Sequence, residues 1–412
     1  MALREIPGVR RGATLFTCND GFYYQYNSIS RVKTHYCCYL KTCRARIWVE
    51  HRSKNITYNE NFPSHNHGPD PLLEAKHVLR GAIFQRAERE STPLKRIFDE
   101  ECNKVSNEVA KSLAFGTIES SMQKCRKLNF PRLPNSAIDF TNMLKAEEWA
   151  RFSETLDGKK FFIDNILVGE CSNLVFVSDN TKHLLSTAEE LFFDGTFKTV
   201  PSVPGLTQLF IVNAVAFDHA FPVAYVLMER KSYACYKAAL QLVKQFAPDI
   251  NPRVMSDFEA GLMRALRETF PLSDISGCWW HFSNCILKRV KKYRLVIAAK
   301  NDENVKKIIH MCMCLPLLPA GQIEAGLAAI GQLANQTITD ADYKQKLIII
   351  TEYITAQWIG KVGVGHLSVY NSPRRTNNFS ESFNMKLKRK MGPHPNAWSF
   401  IEKLHKLLKE AQ

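Results

Sequence analysis

The sequence predicts a multidomain α/β protein in which a small β-rich module and a helical region precede a mixed sheet and a second helical region. Three observations support this prediction. The length of 412 residues allows two to four domains. Short apolar runs typical of strands dominate residues 160–255, whereas helical patterns dominate residues 71–144 and 295–360. The first 70 residues have a strand-like pattern and are rich in Tyr, Cys, His and Arg.

The composition excludes several classes of protein and indicates the kind of partner. Hydrophobic residues make up 45% of the chain, which excludes a largely disordered chain, a collagen-like chain and a coiled-coil rod. The 55 Lys and Arg residues exceed the 40 Asp and Glu residues, so the net charge is +15. This excess predicts a polyanionic partner, either nucleic acid or an anionic membrane.

The longest apolar stretch does not predict a membrane-spanning helix. Residues 205–228 are interrupted by Asp218 and His219, and they predict two strands joined by a turn. The N-terminal run MALREIPGVRRG lacks the apolar core of a signal peptide. We therefore expect no membrane partner and a reducing compartment, where the 12 cysteines are thiols or metal ligands rather than disulfides.

Two cysteines and two histidines near the N-terminus have the spacing of a zinc site. Cys38 and Cys43 would close a loop between two strands, and His65 and His67 would project from the same face of a strand. Two Cys and two His are a common closed tetrahedral set for one Zn²⁺ ion. A module this small has too little core to be stable alone, so the metal would supply much of its folding energy.

Other residues of the same region are weaker candidates for metal binding. Cys37 is a rival ligand, although strand alternation points its side chain away from that of Cys38. Cys18 and His35 lack partners at a suitable spacing, and we interpret them as structural. The alternative for the whole set is that its members are incidental residues of a Cys-rich stretch.

Residues 16–70 resemble a FLYWCH-type zinc finger. The runs FYYQYN, HYCCYLKTCRARIWVE and SHNHGPD carry the resemblance. The paired cysteines of the family fall on Cys38 and Cys43, and its closing histidines fall on His65 and His67. The resemblance implies a zinc-stabilised β-sheet that binds DNA or protein by a strand edge.

The predicted finger occupies residues 12–70, and a helical linker region is predicted for residues 71–150. The runs LLEAKHVLRGAIFQRA and TPLKRIFDEECNKVSNEVAKSLA are helical in pattern, and Pro131 and Pro134 end this stretch. A helix-turn-helix within residues 85–130 that reads DNA is an alternative to a simple linker bundle.

Three acidic residues occupy positions that suit a metal-dependent site. Asp194 ends the strand-like run ELFFD, and Asp257 ends the strand-like run PRVMSD. Glu381 lies in the first turn of a predicted helix, for which Asn377 or Asn378 is the N-cap. A single Asp at a strand end is more often a turn or cap residue. Two such acids side by side repel unless a divalent cation relieves the charge, and the third completes a two-metal phosphoryl-transfer site.

From about residue 151 to the C-terminus the chain resembles the MULE (Mutator-like element) transposase family. The runs FFDGTFKTVP, QLFIVNAV, FPVAYVLM, SDFEAGL, GCWWHFSN and RTNNFSESFN follow the order of the family. The resemblance implies an RNase H-like catalytic domain formed by residues 151–294 and 366–412. Residues 295–365 would then be the all-α insertion domain between the second and third acids.

The resemblance also implies an activity. Asp194, Asp257 and Glu381 would be the DDE triad and would hold two Mg²⁺ or Mn²⁺ ions. The protein would be a DNA transposase that binds terminal inverted repeats, hydrolyses the phosphodiester there and joins the 3′-hydroxyl to target DNA. Its partners would be double-stranded transposon ends and target DNA, bound by a homo-oligomer. The alternatives are a domesticated, transposase-derived transcription factor without catalytic use and an RNase H-like nuclease acting on RNA or hybrids.

The MULE family also has a Cys-x-x-His pair after the second acid, and it falls on Cys278 and His281. Structural packing, a DNA-contacting or catalytic-support role and, with Cys285, metal binding are the alternatives for this pair. Cys312 and Cys314 are predicted to be buried residues of a helix.

Basic residues are concentrated in two segments on either side of the predicted acidic site. A basic run is usually a solvated helix face, but this position favours contacts with DNA phosphates. Either run would also serve as a nuclear localisation signal, so we expect a nuclear protein. The residues concerned are Lys288, Arg289, Lys291, Lys292, Arg294, Arg374, Arg375, Lys386, Lys388, Arg389 and Lys390.

Overall fold

The computed structural model describes residues 3–8, 13–18 and 20–410, and the chain divides into two compact units, residues 1–132 and 133–412. The first unit has an antiparallel sheet followed by helices, and the second has a mixed sheet with many helices. These findings confirm the predicted α/β class with a β-rich beginning. The predicted start of the finger, residue 12, lies outside the described residues, and the division into four domains stays a prediction.

The first unit begins with a six-stranded sheet in which every strand pairs antiparallel with the next along the chain. The strands are β1 (Arg4–Pro7), β2 (Thr14–Thr17), β3 (Tyr23–Ile29), β4 (Lys33–Cys38), β5 (Arg46–Glu50) and β6 (Ile56–Tyr58). Tyr24 of β3 and Ile47 of β5 are buried in one apolar cluster together with Cys18. Cys18 therefore has the structural role predicted from its isolated position.

Four helices follow this sheet within the first unit. They are α1 (Leu73–Arg89), α2 (Leu94–Cys102), α3 (Asn107–Lys111) and α4 (Phe115–Lys127). Ile83, Ile97 and Ile118 are completely buried in the core that α1, α2 and α4 share. Arg86 of α1 joins α2 through an ion pair with Glu101 at 2.8 Å. A helix-turn-helix function for this region stays a prediction.

The second unit is built on a seven-stranded mixed sheet. Its strands are β7 (Phe162–Val168), β8 (Cys171–Val177), β9 (Glu190–Thr196), β10 (Gln208–Ala216), β11 (His219–Met228), β12 (Arg253–Ser256) and β13 (Ile275–Gly277). The order across the sheet is β13-β12-β9-β10-β11-β8-β7. β12 pairs parallel with β9 and β13, and the other pairs are antiparallel. β9 lies near the centre of the sheet, and its buried apolar run suits a strand covered on both faces.

The apolar stretch 205–228 forms the predicted pair of strands and turn. Phe217 and Asp218 connect β10 to β11, and their φ angles are 51° and 57°. Two consecutive left-handed residues form the type I′ turn, whose twist matches that of the flanking strands.

The second unit also contains helices between and after its strands. Among the described residues, none of the helices is both long enough and apolar enough to cross a membrane. The helices are α5 (Ala137–Lys145), α6 (Ala150–Ser153), α7 (Leu184–Thr187), α8 (Tyr233–Lys244), α9 (Ala260–Thr269), α10 (Trp279–Lys292), α11 (Leu295–Asn301), α12 (Glu303–Cys314), α13 (Ile323–Thr337), α14 (Ala341–Tyr353), α15 (Val364–Leu367), α16 (Asn378–Met391) and α17 (Ala397–Glu410).

The helices from α10 to α15 share one apolar core, in which a π-helical segment at Ile354–Val362 supplies Trp358. The rings of Phe258 and Phe282 meet Trp358 edge to face at 4.7 and 4.9 Å. Cys312 is buried in this core as predicted, but Cys314 is exposed. The prediction for Cys314 was wrong because it is the last residue of α12, beyond the stripe that faces the core.

Residues that the sequence assigns to the end of the helical linker pack within the second unit. Phe140 of α5 and Phe152 of α6 contact the ring of Trp398 in α17, at 5.5 and 4.7 Å between ring centroids. Both helices belong to the compact unit that begins at residue 133.

Candidate active site and metal centre

The first two predicted acids lie on neighbouring parallel strands. Asp194 is in β9, and Asp257 directly follows β12. Phe193 of β9 and Ser256 of β12 are paired, so the next residue along each strand is one of the two acids. Parallel strands end at the same edge of a sheet, so both carboxylates occupy that edge.

Two glycines allow close packing beside the acids. A Cβ atom at Gly195 would lie 2.0 Å from Nε2 of Gln208, and one at Gly277 would lie 2.0 Å from the ring of Phe258. Both distances are far below van der Waals contact. Any larger residue at these positions would therefore displace the side chain of Gln208 or of Phe258.

The carboxylate of Asp194 is buried and has a donor on each oxygen. The backbone N–H of Gly195 donates to Oδ1 at 2.8 Å, and Nδ2 of Asn384 donates to Oδ2 at 2.6 Å. Burial raises the pKa of Asp194 to about 7, and the charges of Asp257 and Glu381 act in the same direction. Ionisation of all three acids together is therefore unfavourable at neutral pH, and a divalent cation would favour it.

His281 of α10 lies between the other two acids. Its Nδ1 is 2.9 Å from Oδ1 of Asp257, and its Nε2 is 3.9 Å from Oε1 of Glu381. The first contact is close but poorly aligned for a hydrogen bond, and both of its atoms are buried without a hydrogen-bond partner. Burial lowers the pKa of His281, but Asp257 and then Cys278 outweigh this effect and raise it to about 10. The imidazolium offsets part of the negative charge.

Cys278 connects the helix of the third acid to the helix of His281. Its buried Sγ accepts a hydrogen bond from the backbone N–H of Asn377 at 3.3 Å, and the N–H of Trp279 donates to the carbonyl of Arg375 at 2.9 Å. These two bonds join the start of α16 to the start of α10. The geometry gives Cys278 a structural role and gives His281 a place among the acids, in line with two of the alternatives left open for the pair.

Helix α16 presents Glu381 and Asn384 towards β9. Asn377 occupies the N-cap position, as one of the two predicted alternatives, but its side chain makes no capping hydrogen bond. Asn384 was not among the predicted site residues. The signal that could have revealed it is its position three residues after Glu381, which places both side chains on one face of the helix.

The first basic segment follows the helix that carries His281. Lys288, Lys291 and Lys292 of α10 are exposed, and so is Arg294 just beyond it. Arg289 differs from them, because its guanidinium is half-buried and lies 4.1 Å from the ring centroid of Tyr353. Four cations of this segment are therefore open to solvent.

Several cations of the second segment already have acidic neighbours. Arg374 forms an ion pair with Glu190 at 2.6 Å and another with Asp218. Lys386 and Lys390 both lie beside Glu410. The remaining members, Arg375, Lys388 and Arg389, are exposed.

Four metal-ligating side chains come together in the first unit, with their ligand atoms all within 4.8 Å of one another: Cys38, Cys43, His65 and His67. Sγ of Cys38 is 3.2 Å from Nε2 of His67, and Sγ of Cys43 is 3.4 Å from Nδ1 of His65. The two imidazole nitrogens are 3.2 Å apart. Ligand atoms at tetrahedral Zn²⁺ lie about 3.3–3.8 Å from one another, given ordinary Zn–N and Zn–S lengths. The four residues therefore fit a zinc ion.

The local structure around this group differs from the sequence-based expectation in one respect. Cys38 ends β4 and Cys43 lies in the loop before β5, as predicted, but His65 and His67 lie in a loop rather than on a strand. A loop after β6 can turn both imidazoles inward without the alternation of a strand. Cys37 points away from the group and contacts Gln25, whose Nε2 is 3.6 Å from its Sγ.

The surroundings of Cys43 favour the thiolate form of its side chain. Burial alone would raise its pKa, but hydrogen bonds from the backbone of Ala45 and Asn66 lower it below the ordinary value for cysteine. The thiolate is the form that binds zinc.

Comparison with known proteins relates part of the second unit to transposases. Residues 190–285, from the start of β9 to within α10, match the MULE transposase domain. The matched stretch contains Asp194, Asp257, Cys278 and His281 but not Glu381. The match supports a transposase-like function for this region. No curated protein matches the chain at a significant level.

Several chains of solved structures match this chain, and one of them does so at low identity. It is described as the Drosophila P element transposase strand transfer complex. The similarity covers 72% of this chain and 98% of the other, with 11% sequence identity and a TM-score of 0.29.

Proposed function

We propose that this protein is a DDE-type DNA transposase with Asp194, Asp257 and Glu381 as its catalytic acids. The observation that carries the proposal is the approach of three acids to one place from β9, from the end of β12 and from α16. His281 lies 2.9 Å from Asp257 and 3.9 Å from Glu381, and burial together with the charges of these two acids raises the pKa of Asp194. The match of residues 190–285 to the MULE transposase domain supports the same reading.

An RNase H-like catalytic domain is part of this proposal. The strand order supports it, because β9, β10 and β11 form an antiparallel meander while β12 and β13 continue the sheet on the other side of β9 in parallel. β9 thus joins the antiparallel and parallel parts of the sheet, and Asp194 near its end lies beside Asp257, which follows β12.

The donor set fits hard divalent cations, which prefer carboxylate oxygens. Asp194, Asp257 and Glu381 would hold two Mg²⁺ or Mn²⁺ ions. Bound there, the ions would activate the attacking oxygen and stabilise the leaving oxygen of the phosphodiester. Gly195 and Asn384 orient the carboxylate of Asp194 by hydrogen bonds. The buried Oδ1 of Asp257 has no hydrogen-bond partner and is one atom that a cation would satisfy.

The proposed substrates are transposon ends and target DNA, and the proposed location is the nucleus. The net charge of +15 and the exposed cations of residues 288–294 support contacts with DNA phosphates. A homo-oligomer is proposed because two transposon ends have to be bound and cut in one complex.

The first unit is proposed to contain a FLYWCH-type zinc finger that holds one Zn²⁺ ion. The fit of Cys38, Cys43, His65 and His67 to a tetrahedral site supports this proposal. The antiparallel sheet would then present a strand edge to DNA or to a protein.

Strand cleavage of DNA tests the proposed function. The substrate is a duplex with the inverted repeats that flank genomic copies of the coding sequence, incubated with the full chain and Mg²⁺. The expected products are a cleaved strand with a free 3′-hydroxyl at the repeat end and a strand-transfer product in which that hydroxyl is joined to target DNA. Both products should be absent in EDTA. A gene without flanking repeats, together with a chain that leaves DNA uncut, would favour the domesticated alternative.

Neutralising the exposed cations of the first basic segment is expected to weaken DNA binding. Changing Lys288, Lys291, Lys292 and Arg294 to Gln should reduce the slope of log K against log salt by up to about 3.6, because each phosphate contact contributes about 0.9. The measurement is fluorescence anisotropy of a labelled duplex over a range of salt concentrations.

The matched control for this experiment changes four lysines that already have a carboxylate partner one turn away. Replacement by Gln alters the net charge equally, so an equal loss of DNA affinity would contradict a specific role for residues 288–294. These lysines are Lys95, Lys104, Lys306 and Lys346.

Removal of the Asn384 side chain is expected to weaken binding of divalent metal. Asn384→Ala deletes the donor that fixes Oδ2 of Asp194, and loss of such an outer contact costs roughly 10- to 100-fold in metal affinity. Mn²⁺ titration followed by electron paramagnetic resonance measures the effect. Met385→Ala is the control, because its side chain is 63% exposed on the same helix. Equal Mn²⁺ affinities of the two variants would argue against the orienting role.

A further inference from the structure

The zinc site of the first unit has an outer set of contacts that reaches back to Asp20. Phe22, two residues on, stacks on His65 with 3.8 Å between ring centroids and 9° between ring planes. The hydroxyl of Tyr24, two residues further, lies 3.1 Å from Nε2 of His65. One short segment therefore covers both a face and an edge of a single proposed zinc ligand.

The hydrogen-bond direction at Tyr24 follows from counting protons. Its hydroxyl has one proton, which it donates to Oδ2 of Asp20 at 3.1 Å. The hydroxyl oxygen can then only accept from His65, so Nε2 of His65 carries a proton. A neutral imidazole with a proton on Nε2 has its lone pair on Nδ1, and Nδ1 is the atom 3.4 Å from Sγ of Cys43.

Asp20 is itself held as an acceptor from several directions. Oδ1 accepts from the backbone N–H of Phe22 at 2.9 Å, and Oδ2 accepts from the hydroxyl of Tyr58 at 2.7 Å as well as from Tyr24. An ionised carboxylate accepts all these bonds without needing a proton of its own. The direction of the hydrogen bonds that run from His65 through Tyr24 to Asp20 is therefore set by Asp20, which only accepts.

His67 has the opposite arrangement. Its Nδ1 lies 2.8 Å from the carbonyl oxygen of Gly68, which can only accept, so Nδ1 carries the proton. Its Nε2 lies 3.2 Å from Sγ of Cys38. The two histidines thus face the metal position with different nitrogens, and the protein groups behind each ring decide which one.

We infer that Asp20 and Tyr24 are positioning residues of the zinc site, which fix the tautomer of His65 and make Nδ1 its ligand atom. Metal-bound histidines generally donate their other N–H to a carboxylate or carbonyl group, which orients the ring and increases its basicity. Here Tyr24 stands between the imidazole and the carboxylate. The inference rests on the proposed zinc site but is independent of the transposase activity.

The tautomers of the zinc-loaded full chain provide the first test. Long-range ¹H–¹⁵N correlation spectra of protein labelled at histidine distinguish a ring protonated at Nε2 from one protonated at Nδ1. The expected result is a proton on Nε2 of His65 and on Nδ1 of His67. A spectrum in which Nε2 of His65 binds the metal would overturn the inference without any variant.

Zinc affinity of Tyr24→Phe provides the second test, measured on the full chain by competition with a chromophoric chelator. The change deletes one oxygen atom, and we expect a roughly 10- to 100-fold weaker affinity and loss of the protected Nε2 proton of His65. Tyr36→Phe is the matched control, because Tyr36 is also buried in the sheet and packs edge-on against Phe16.

The outcomes separate this inference from the proposal on which it rests. Equal zinc affinities of the two variants would overturn the role of Tyr24 while leaving the zinc site itself intact. A wild-type chain that binds no zinc would overturn both. The tautomer measurement on the wild-type chain decides the question even where Tyr24→Phe fails to fold.

Discussion

Replacing Asp194 by Asn is expected to abolish DNA strand cleavage without disrupting the fold. The substitution keeps the shape of the side chain but removes the charge that would hold a divalent cation. Lewis-acid stabilisation by such a cation is worth several kcal/mol, and each 1.36 kcal/mol is a tenfold change in rate, so the loss should be about 10³-fold or more. Glu381→Gln is expected to have the same effect, because Glu381 faces the same site.

The measurement is single-turnover cleavage of end-containing DNA in Mg²⁺. Asp164→Asn is the matched control, since it makes the same chemical change on β7, where Asp164 is exposed and pairs with Lys145 at 2.9 Å. We expect the control to cleave at the wild-type rate. Wild-type cleavage by Asp194→Asn would remove the basis of the proposed triad.

The same variant has an expected effect on stability that does not depend on activity. Burial raises the pKa of Asp194 from 3.8 to about 7, so the folded state binds this proton more tightly than the unfolded state. The contribution of protonated Asp194 to the free energy of unfolding is therefore fully present below about pH 4 and is lost as the pH rises towards 7. Asn cannot ionise, so metal-free Asp194→Asn should be at least as stable as wild type at pH 8, and Mg²⁺ should raise the Tm of wild type alone.

β9, which carries Asp194, and β12, which Asp257 follows, were predictable because their apolar runs are short, strong and ended by polar residues. A central strand covered on both faces has to be apolar throughout, and that pattern is local in sequence. The hairpin was predictable for the same reason, because the polar residues Asp218 and His219 interrupt an apolar run, and the turn falls at Phe217 and Asp218.

The contacts that complete the site were not predictable in the same way. Asn384 bonds to a carboxylate 190 positions earlier in the chain, and no local pattern distinguishes it from a solvated asparagine on a helix. The bond from Asn377 to the thiol of Cys278 likewise depends on how two helices begin side by side. The segment that carries His65 and His67 was predicted to be a strand, but it is a loop. A spacing of two residues suits either structure, and the loop is favoured by the packing of Phe22 on His65, which no local pattern shows.

Removal of zinc is expected to unfold the six-stranded sheet of the first unit. Structural zinc sites contribute about 10–16 kcal/mol of apparent binding energy, which in small modules is folding energy. The residues at the site support this dependence. The proposed ligands Cys38 and Cys43 are themselves buried, together with Ala45, in a small cluster. Cys43→Ser and His67→Ala should therefore lose both the bound zinc and the sheet.

The measurements are elemental analysis of the purified chain and hydrogen exchange of its backbone amides. Wild type is expected to contain about one zinc per chain, and the amides of β3, β4 and β5 should exchange slowly. Cys37→Ser is the matched control, since Cys37 is adjacent to a ligand yet contacts Gln25 on the other side of its strand. Zinc content unchanged in Cys43→Ser, or lost in Cys37→Ser, would refute the ligand set.

Hydrogen exchange also shows whether the two proposed metal sites are independent. Zinc prefers the thiolates and imidazoles of the first unit, whereas Mg²⁺ prefers the carboxylates of the second. In Cys43→Ser the amides of β9 and β12 should therefore keep their protection, and Mg²⁺ should still raise the melting temperature of the second unit. Loss of protection in both units would mean that the zinc site supports the whole chain, and the effect of a finger substitution on cleavage could then not be assigned to DNA recognition.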